Sequence, residues 1–313
     1  MSPNIPASVR ARLLNQARAS SEEFERTLAR FAAERWLYRL GVSTARSRCV
    51  LKGASLLTVW LPDPHRATRD IDVLATGDTH DAAIRELLSE VCAIQCPDDG
   101  ITFDLSALVI EPIRVEEEYA GVRSLFWAYL GVARIRMQVD IGIGDALTSA
   151  VDEIEYPPML PHLPRAHIRA YPRETAVAEK FEAMVKLGRR NSRMKDFHDV
   201  YALSAAFAFD GAALLLAIEG CIGRRGTPWT AERPDALTTA FYQDDAIQKR
   251  WRAYLRSGNI LVAPPTRFDE VGEQIIRFLG PVRDSIVARE GFTGTWTTER
   301  VWTPRTIAGA VQA

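Results

Sequence analysis

The spacing of hydrophobic and polar positions changes along this chain, and the change predicts which segments are strands and which are helices. The strictest alternation covers residues 133–144. Its apolar face consists of Ile135, Met137, Val139, Ile141 and Ile143. Its polar face consists of Arg134, Arg136, Gln138, Asp140, Gly142 and Gly144. Because successive side chains of a strand point to opposite faces, this segment is predicted to be a β-strand with one buried face.

Shorter segments with either strand alternation or helical spacing lie on both sides of this strand in the sequence. Further strands are predicted over 49–52, 101–110, 114–119 and 125–132, and around Asp70 and Asp72. Helices are predicted over 20–40, 54–60 and 79–91, where apolar residues recur at helical spacing. Ser20 and Glu23 fit a capping box that begins the first helix, and Gly41 fits its end. Strands and helices mix without strict alternation up to about residue 150, which indicates a mixed α/β (α+β) chain.

A proline-rich stretch over 156–172 predicts a linker or a strap over a surface. The pattern after it is mostly helical to about residue 288, and residues 291–313 show no periodicity. We therefore expect three parts: a core with N-terminal helices over 1–155, a linker and helical part over 156–290, and a loosely held tail over 291–313.

Composition narrows the functional classes. The chain has 313 residues and a net charge of −1, so a nucleic-acid surface has to be a local basic patch. Its four cysteines form no paired Cys-x-x-Cys sets, which favours buried free thiols in a reducing cytosol. No apolar run has the length of a transmembrane helix, and the N-terminus lacks a signal-peptide pattern. We expect a cytoplasmic protein with no membrane partner.

Asp70 and Asp72 are the strongest indication of chemistry. They lie two positions apart in a predicted strand, so both carboxylates point to the same face. Two neighbouring carboxylates repel each other, and a divalent cation removes that conflict. Because Mg2+ is usually held by one or two carboxylates together with phosphate oxygens, the pair predicts a magnesium site that handles a nucleotide. The alternative interpretation is a solvated strand end.

Asp140 is the candidate for a third carboxylate. It lies on a polar strand face where the two glycines that follow leave room for a ligand. If its strand lies beside the strand of the aspartate pair, three carboxylates converge as metal ligands, or one accepts the proton of an attacking hydroxyl. The alternative is an ion pair with Arg134 or Arg136 on a solvated face.

Gly53 and Ser55 lie in a predicted strand–turn–helix segment. The backbone N–H groups of such a turn and a hydroxyl offer hydrogen bonds to an anion. Many strand–helix turns share this pattern, so the segment alone is weak evidence for anion binding. The aspartates downstream strengthen that evidence. Lys52, beside the turn, is either a contact for the anion or an exposed charge, and the exposed charge is the interpretation that we expect.

Lys180 has an unusual position on the predicted helix 174–187, because its neighbours three and four positions away are apolar. A lysine in such a stripe has to snorkel, pair with a carboxylate or bind an anion. Phosphate is one partner, and a buried carboxylate is the other. Asp199 is a candidate for that carboxylate, because apolar residues share its side of the helix.

A basic cluster precedes Asp199 and consists of Arg189, Arg190, Arg193 and Lys195. Its arginines are candidates to hold a triphosphate or an RNA backbone, and a basic surface loop is the alternative. Asp196, in the first turn of its predicted helix, complements the helix dipole.

In their order along the chain, these residues resemble a known family. The segments concerned are 51–57, 69–72, 139–140, 179–180 and 195–201. They are similar to the AbiEii/AbiGii toxin family of nucleotidyltransferases, which includes the MenT-type toxins of mycobacteria. The resemblance covers roughly residues 45–205. The family usually has a second glycine where this chain has Ala54. The alanine side chain leaves less space in the turn.

The resemblance implies a nucleotidyltransferase fold, in which helices flank a mixed β-sheet and a mainly helical C-terminal part completes the active site. The implied roles are triphosphate contact for Gly53 and Ser55, Mg2+ binding for Asp70 and Asp72, phosphate binding for Lys180, and an essential acid at Asp196. Family members transfer a nucleoside monophosphate (NMP) from a nucleoside triphosphate (NTP) and release pyrophosphate. Some modify the 3′ end of tRNA and stop translation. The implied partner is an antitoxin encoded nearby, usually with a winged-helix DNA-binding domain.

Two other functions fit the same residues. A metal-dependent nuclease would use Asp70, Asp72, Asp140 and Lys180 and would shorten RNA without consuming NTP. A non-catalytic nucleotide-binding module would keep the fold for regulation or assembly. The intact carboxylate set favours an enzyme.

Overall fold

The computed structural model describes residues 4–61, 68, 70–77, 80–113, 121–143, 151–257 and 260–304. Several sequence expectations lie outside these residues, namely those for Arg69, Thr79, Gly144, the strand at 114–119 and the tail beyond residue 304. The described chain forms two compact units, the first ending at Tyr171 and the second beginning at Pro172. The sequence analysis expected the division at residue 155.

The first unit combines four helices and seven strands within its described residues. The helices are α1 (Ile5–Ala19), α2 (Phe24–Val42), α3 (Ser55–Trp60) and α4 (Asp81–Ala93). The strands are β1 (Cys49–Lys52), β2 (Ile71–Ala75), β3 (Ile101–Pro112), β4 (Gly121–Leu130), β5 (Ala133–Ile143), β6 (Asp152–Tyr156) and β7 (Ala166–Ala170).

These strands form one mixed sheet in the order β3-β4-β5-β2-β1-β7-β6. The β2–β5 and β1–β7 pairs are parallel, and the other neighbours are antiparallel. The predicted faces of β5 are confirmed, since Ile135, Met137 and Val139 are buried in the core. Helices α1, α2 and α4 contribute apolar residues to the same core. The expected mixed α/β class, with a mixed sheet flanked by helices, is therefore confirmed.

Three local expectations are wrong. Ser20 and Glu23 form no capping box, because Ser20 is the C-cap of α1, an unpredicted helix, and α2 starts only at Phe24. Gly41 does not end α2, which continues to Val42. The proline-rich stretch is more than a linker, because β6 and β7 within residues 152–170 add two strands to the sheet. Each of these strands has only five residues, so the alternation of apolar and polar positions is too short to be recognised among the prolines.

The second unit is mainly helical, as expected. Its helices are α5 (Arg173–Leu187), α6 (Met194–Ala206), α7 (Gly211–Arg224), α8 (Thr239–Gln243), α9 (Asp245–Leu255) and α10 (Phe268–Ala288). Its short strands are β8 (Phe209–Asp210), β9 (Thr295–Trp296) and β10 (Trp302–Thr303), which form a three-stranded sheet in the order β10-β9-β8. An aromatic cluster around Phe197 and Phe268 fills part of its core.

The described part of the tail is not loosely held. Trp296 is fully buried, and its indole Nε1 donates to the carbonyl oxygen of Ser204 at 2.7 Å. Its ring packs on Phe278, with 4.9 Å between the ring centroids. The strands that hold this segment have two residues each, which is too short to produce a recognisable period.

Candidate active site

The turn between β1 and α3 places Gly53 directly against Asp72. Gly53 has a φ of +72°, in the left-handed region that glycine adopts without strain. A β-carbon built on Gly53 would lie 2.7 Å from Cγ of Asp72, which is closer than non-bonded carbons approach. The turn therefore needs glycine for two independent reasons. Ala54 has an ordinary helical conformation, with φ −72° and ψ −21°, so its departure from the family pattern does not strain the turn.

Four charged residues form one row across β1, β2, β5 and β4. Lys52 lies opposite Asp72, Asp72 lies opposite Asp140, and Asp140 lies opposite Arg123. Directly opposed residues on neighbouring strands project to the same face of a sheet. The two carboxylates are therefore neighbours, with a cationic residue at each end of the row. The strand of Asp140 thus lies beside the strand of Asp72, which meets the condition under which Asp140 joins the aspartate pair.

Asp140 is held by a two-pronged ion pair with Arg123. Arg123 Nε donates to Oδ1 at 2.9 Å, and Nη2 donates to Oδ2 at 2.7 Å. The hydrogen bond to Asp140 raises the pKa of the Arg123 guanidinium, against the opposing effect of desolvation. The alternative pairing with Arg134 or Arg136 does not occur, because residues four or more apart on one strand are separated by about 13 Å or more.

Asp70 lies one residue before β2 and is half-buried. Ser55, which is only 3 % exposed, donates its hydroxyl to the carbonyl oxygen of Asp70 at 3.4 Å. Ser55 therefore links the start of α3 to the segment that carries both aspartates. Its contact with a triphosphate stays a prediction, as does that of Gly53.

The donor set fits a magnesium ion in part. In the described portion of the chain, no group of three or more His, Cys, Asp or Glu side chains is arranged to hold a metal ion. Arg123 engages both carboxylate oxygens of Asp140, so ligation by Asp140 requires that Arg123 release it. Asp70 and Asp72 supply the hard oxygen donors that Mg2+ prefers, and two carboxylates suffice when phosphate and water complete the shell.

In the second unit, Lys180 lies between two buried carboxylates. Its Nζ is 2.6 Å from Oδ2 of Asp199 and 3.5 Å from Oδ1 of Asp196. The other oxygen of Asp196 accepts from Nε of Arg193 at 2.6 Å, and Arg193 is half exposed. The structure shows the alternative in which Lys180 pairs with a buried carboxylate, and Asp199 is that carboxylate. Phosphate binding by Lys180 and Arg193, and an essential role for Asp196, stay predictions.

Sequence reasoning missed Arg123, although the chain contains a signal for it. The predicted strand at 125–132 ran through a hairpin turn. Leu130 pairs with Ala133, so the loop has two residues, and its first residue, Gly131, has a φ of +59°. Such tight turns fix the register of a hairpin. Counting back equally from both sides of this turn reaches Arg123 and Asp140.

Solved structures of other proteins resemble this chain. A crystal structure of a candidate nucleotidyltransferase from Helicobacter pylori shares the fold, with a TM-score of 0.50 and 14 % sequence identity over 83 % of this chain and 96 % of the other. The structure of JHP933 from Helicobacter pylori is also similar, with a TM-score of 0.49 and 15 % identity over 82 % of this chain and 92 % of that one. A comparison with curated proteins gave no match.

The sequence identifies the family directly. The model of the AbiEii nucleotidyl transferase toxins of type IV toxin–antitoxin systems matches residues 35–274. This chain belongs to that family and is a nucleotidyltransferase. Membership of a toxin–antitoxin family implies an antitoxin partner. Within the described ranges, the chain has no helix that is both long and apolar enough to span a bilayer.

Proposed function

We propose that this protein is a Mg2+-dependent toxin that transfers an NMP from an NTP to the 3′ end of tRNA and thereby blocks translation. The observation that carries the proposal is the position of Asp72, which lies against Gly53 on one side and in register with Asp140 on the other. Family membership supports the reaction type. The tRNA acceptor and the block of translation come from the resemblance to family members.

The chemistry requires positioning and charge neutralisation rather than a nucleophile on the protein. The hydroxyl oxygen of the acceptor forms a bond to the α-phosphorus and loses its proton to water. The bond from that phosphorus to the bridging oxygen breaks, and pyrophosphate leaves with the bonding electron pair. Asp70 and Asp72 would hold Mg2+, which neutralises phosphate charge when bound. Gly53 keeps open the space that the Asp72 carboxylate occupies. Lys52, on the same face as Asp72, supplies positive charge for the triphosphate.

Three residues of the second unit have proposed roles as well. We assign phosphate binding to Lys180 and Arg193, and an essential acidic function to Asp196. The proposed partner is an antitoxin encoded nearby, and the proposed place of action is the cytoplasm.

The test is a label-transfer assay with the purified chain. The protein is incubated with Mg2+, total tRNA and each NTP in turn, labelled at the α-phosphate. Asp72→Ala is the test variant, and Asp152→Asn, an exposed acid of β6, is the matched control. We expect label in tRNA with the unaltered chain and with Asp152→Asn, and none with Asp72→Ala.

Other outcomes separate the alternative functions. Transfer that survives Asp72→Ala in full would overturn the site. Label in another RNA or a protein, with none in tRNA, would overturn the acceptor. RNA that becomes shorter without NTP would identify a nuclease, and a folded chain that binds NTP without transfer would identify a binding module.

A further inference from the structure

The sheet face that carries Asp140 continues along β4 and β5 as a stripe of arginine and aromatic side chains. Arg136 lies opposite Trp127, and Arg134 lies opposite Tyr129. All four share the face of Asp140, because residues separated by an even number of positions along a strand point the same way. This arginine–aromatic stripe runs about 20 Å from Asp140, at about 3.4 Å per residue.

The stripe lies on the side of the sheet away from the core. Phe126 and Ala128, which alternate with the stripe residues along β4, are buried, and they fix the opposite face as the core side. Trp127 and Tyr129 are half-buried, whereas both arginines of the stripe are exposed. The rings therefore have fixed positions and still reach solvent.

The chemistry of the stripe is that of a stacking surface with exposed positive charge. The guanidinium carbon of Arg134 lies 3.5 Å from the centroid of the Trp127 ring, so a planar cation covers a planar ring. Neither Arg134 nor Arg136 forms an ion pair with any described residue. Asp104, opposite Trp127 on β3, is the acid nearby: its hydrogen bonds to Ser106, and then the charge of Arg134, lower its pKa.

We infer that the arginine–aromatic stripe binds the single-stranded end of a polynucleotide and leads it to Asp72 and Asp140. The inference rests on the proposed function, because it provides the acceptor site for that transfer. Phosphates pair with arginines, and bases of any sequence stack on aromatic rings. Since the net charge of the chain is −1, attraction to a polynucleotide has to come from a local surface of this kind.

The experiment measures binding without NTP and without Mg2+, so that it does not depend on catalysis. A fluorescent single-stranded RNA of about twelve nucleotides is titrated with the full chain, and anisotropy gives the Kd at several salt concentrations. Matched single-stranded DNA and duplex RNA distinguish the polynucleotide. Arg136→Gln and Trp127→Leu are the test variants, and Arg18→Gln, an exposed arginine of α1, is the charge-matched control.

We expect Arg136→Gln to weaken binding about five-fold and to reduce the slope of log K against log salt by about 0.7, the value for one lost phosphate contact with a single strand. Trp127→Leu should weaken binding about ten-fold through lost stacking. Arg18→Gln should leave both quantities unchanged. A Kd and slope unchanged in both test variants, or duplex RNA bound as tightly as the single strand, would overturn the inference.

The inference and the proposed function fail in distinguishable ways. Binding that depends on the stripe, in a protein that transfers no label, contradicts the proposed function alone. Label transfer to tRNA with an unchanged KM for tRNA in both variants contradicts the inference alone. If Trp127→Leu fails to fold, Arg136→Gln still decides the question, because its side chain is exposed. Antitoxin binding at the stripe without RNA binding there would overturn the inference.

Discussion

Asp140 and Arg123 are joined by two parallel hydrogen bonds between neighbouring strands, and Asp140 lies directly beside Asp72 on its other side. Arg123 therefore neutralises one member of a carboxylate pair. Its side chain is 37 % exposed, which limits the stability that the ion pair contributes.

A double-mutant cycle on Arg123→Met and Asp140→Asn should give a coupling energy of about 1 kcal/mol in urea unfolding, because a two-pronged arginine–carboxylate pair is stronger than a single surface contact. The control cycle uses Arg165 and Glu155, an ion pair that is more than half exposed on both sides. Its coupling should be near zero. Equal coupling energies in the two cycles would contradict the expectation that the Arg123–Asp140 pair is the stronger of the two.

Gly53→Ala should destabilise the protein by about 2 kcal/mol or more and abolish label transfer. The change forces a left-handed backbone on alanine, which costs about 1–2 kcal/mol, and it displaces the Asp72 side chain as well. Ala54→Gly is the control: at a helical position it should cost about 1 kcal/mol or less and keep activity. Thermal unfolding and the transfer assay measure both effects. Normal activity in Gly53→Ala would show that the carboxylate position does not matter.

Lys180→Met should destabilise the second unit by about 3–5 kcal/mol, because it leaves the buried Asp196 and Asp199 without their shared cation. Lys195→Met, an exposed lysine of α6, should change stability by less than about 0.5 kcal/mol. Urea unfolding gives both values.

A second substitution separates the structural role of Lys180 from its proposed contact with phosphate. The double variant Lys180→Met/Asp199→Asn should recover part of the lost stability, because it also removes the buried carboxylate charge that Lys180 contacts, and it should still transfer no label. Recovery of transfer together with stability would reject the phosphate role.

The thiols of the two buried cysteines, Cys49 and Cys221, should react slowly in the folded protein. Burial raises the pKa of Cys49 and of Cys221 to about 11, from an ordinary value of 9.0. Because the thiolate is the nucleophile, its fraction at pH 8 falls about a hundred-fold at both sites. The rates should rise about ten-fold from pH 8 to pH 9 without a plateau, since both values lie below the pKa. Ellman's reagent measures this rate, with unfolded protein as the control, and rapid labelling of both thiols in the native state would contradict their burial.

Much of the fold could be predicted because its central strands have strong local patterns. The apolar face predicted for β5 is the buried face in the structure, as Val139 and Ile141 show. The Asp70–Asp72 pair lies at the start of β2. Helix α1 and strands β6 and β7 could not be predicted in the same way. Their order depends on packing against segments far away in the chain, and short windows of sequence do not contain that information.

The site shows the same division between local and long-range information. The need for glycine at position 53 could be predicted, because the strand–turn–helix pattern of the sequence places this residue in the turn. The two-pronged partner of Asp140 is found only after the turn at Gly131 has been recognised and the register between β4 and β5 has been counted from it, which is why Arg123 was missed. The contact of Lys180 with Asp199 was one of the alternatives that the sequence indicated, because a lysine within an apolar stripe needs a carboxylate or an anion as its partner.

The register of Asp72 with Asp140 also bears on the order in which the protein is made and folded. Strand β2 gains its parallel partner only after β3, β4 and β5 have been synthesised, and contacts between such distant segments form slowly. A nascent chain that ends before β5 contains the Asp70–Asp72 pair but neither the neighbouring carboxylate nor its arginine pairing. The charged row of Lys52, Asp72, Asp140 and Arg123 is therefore assembled only after β5 has been synthesised, and ribosomes that are still translating the first unit up to β5 do not face it.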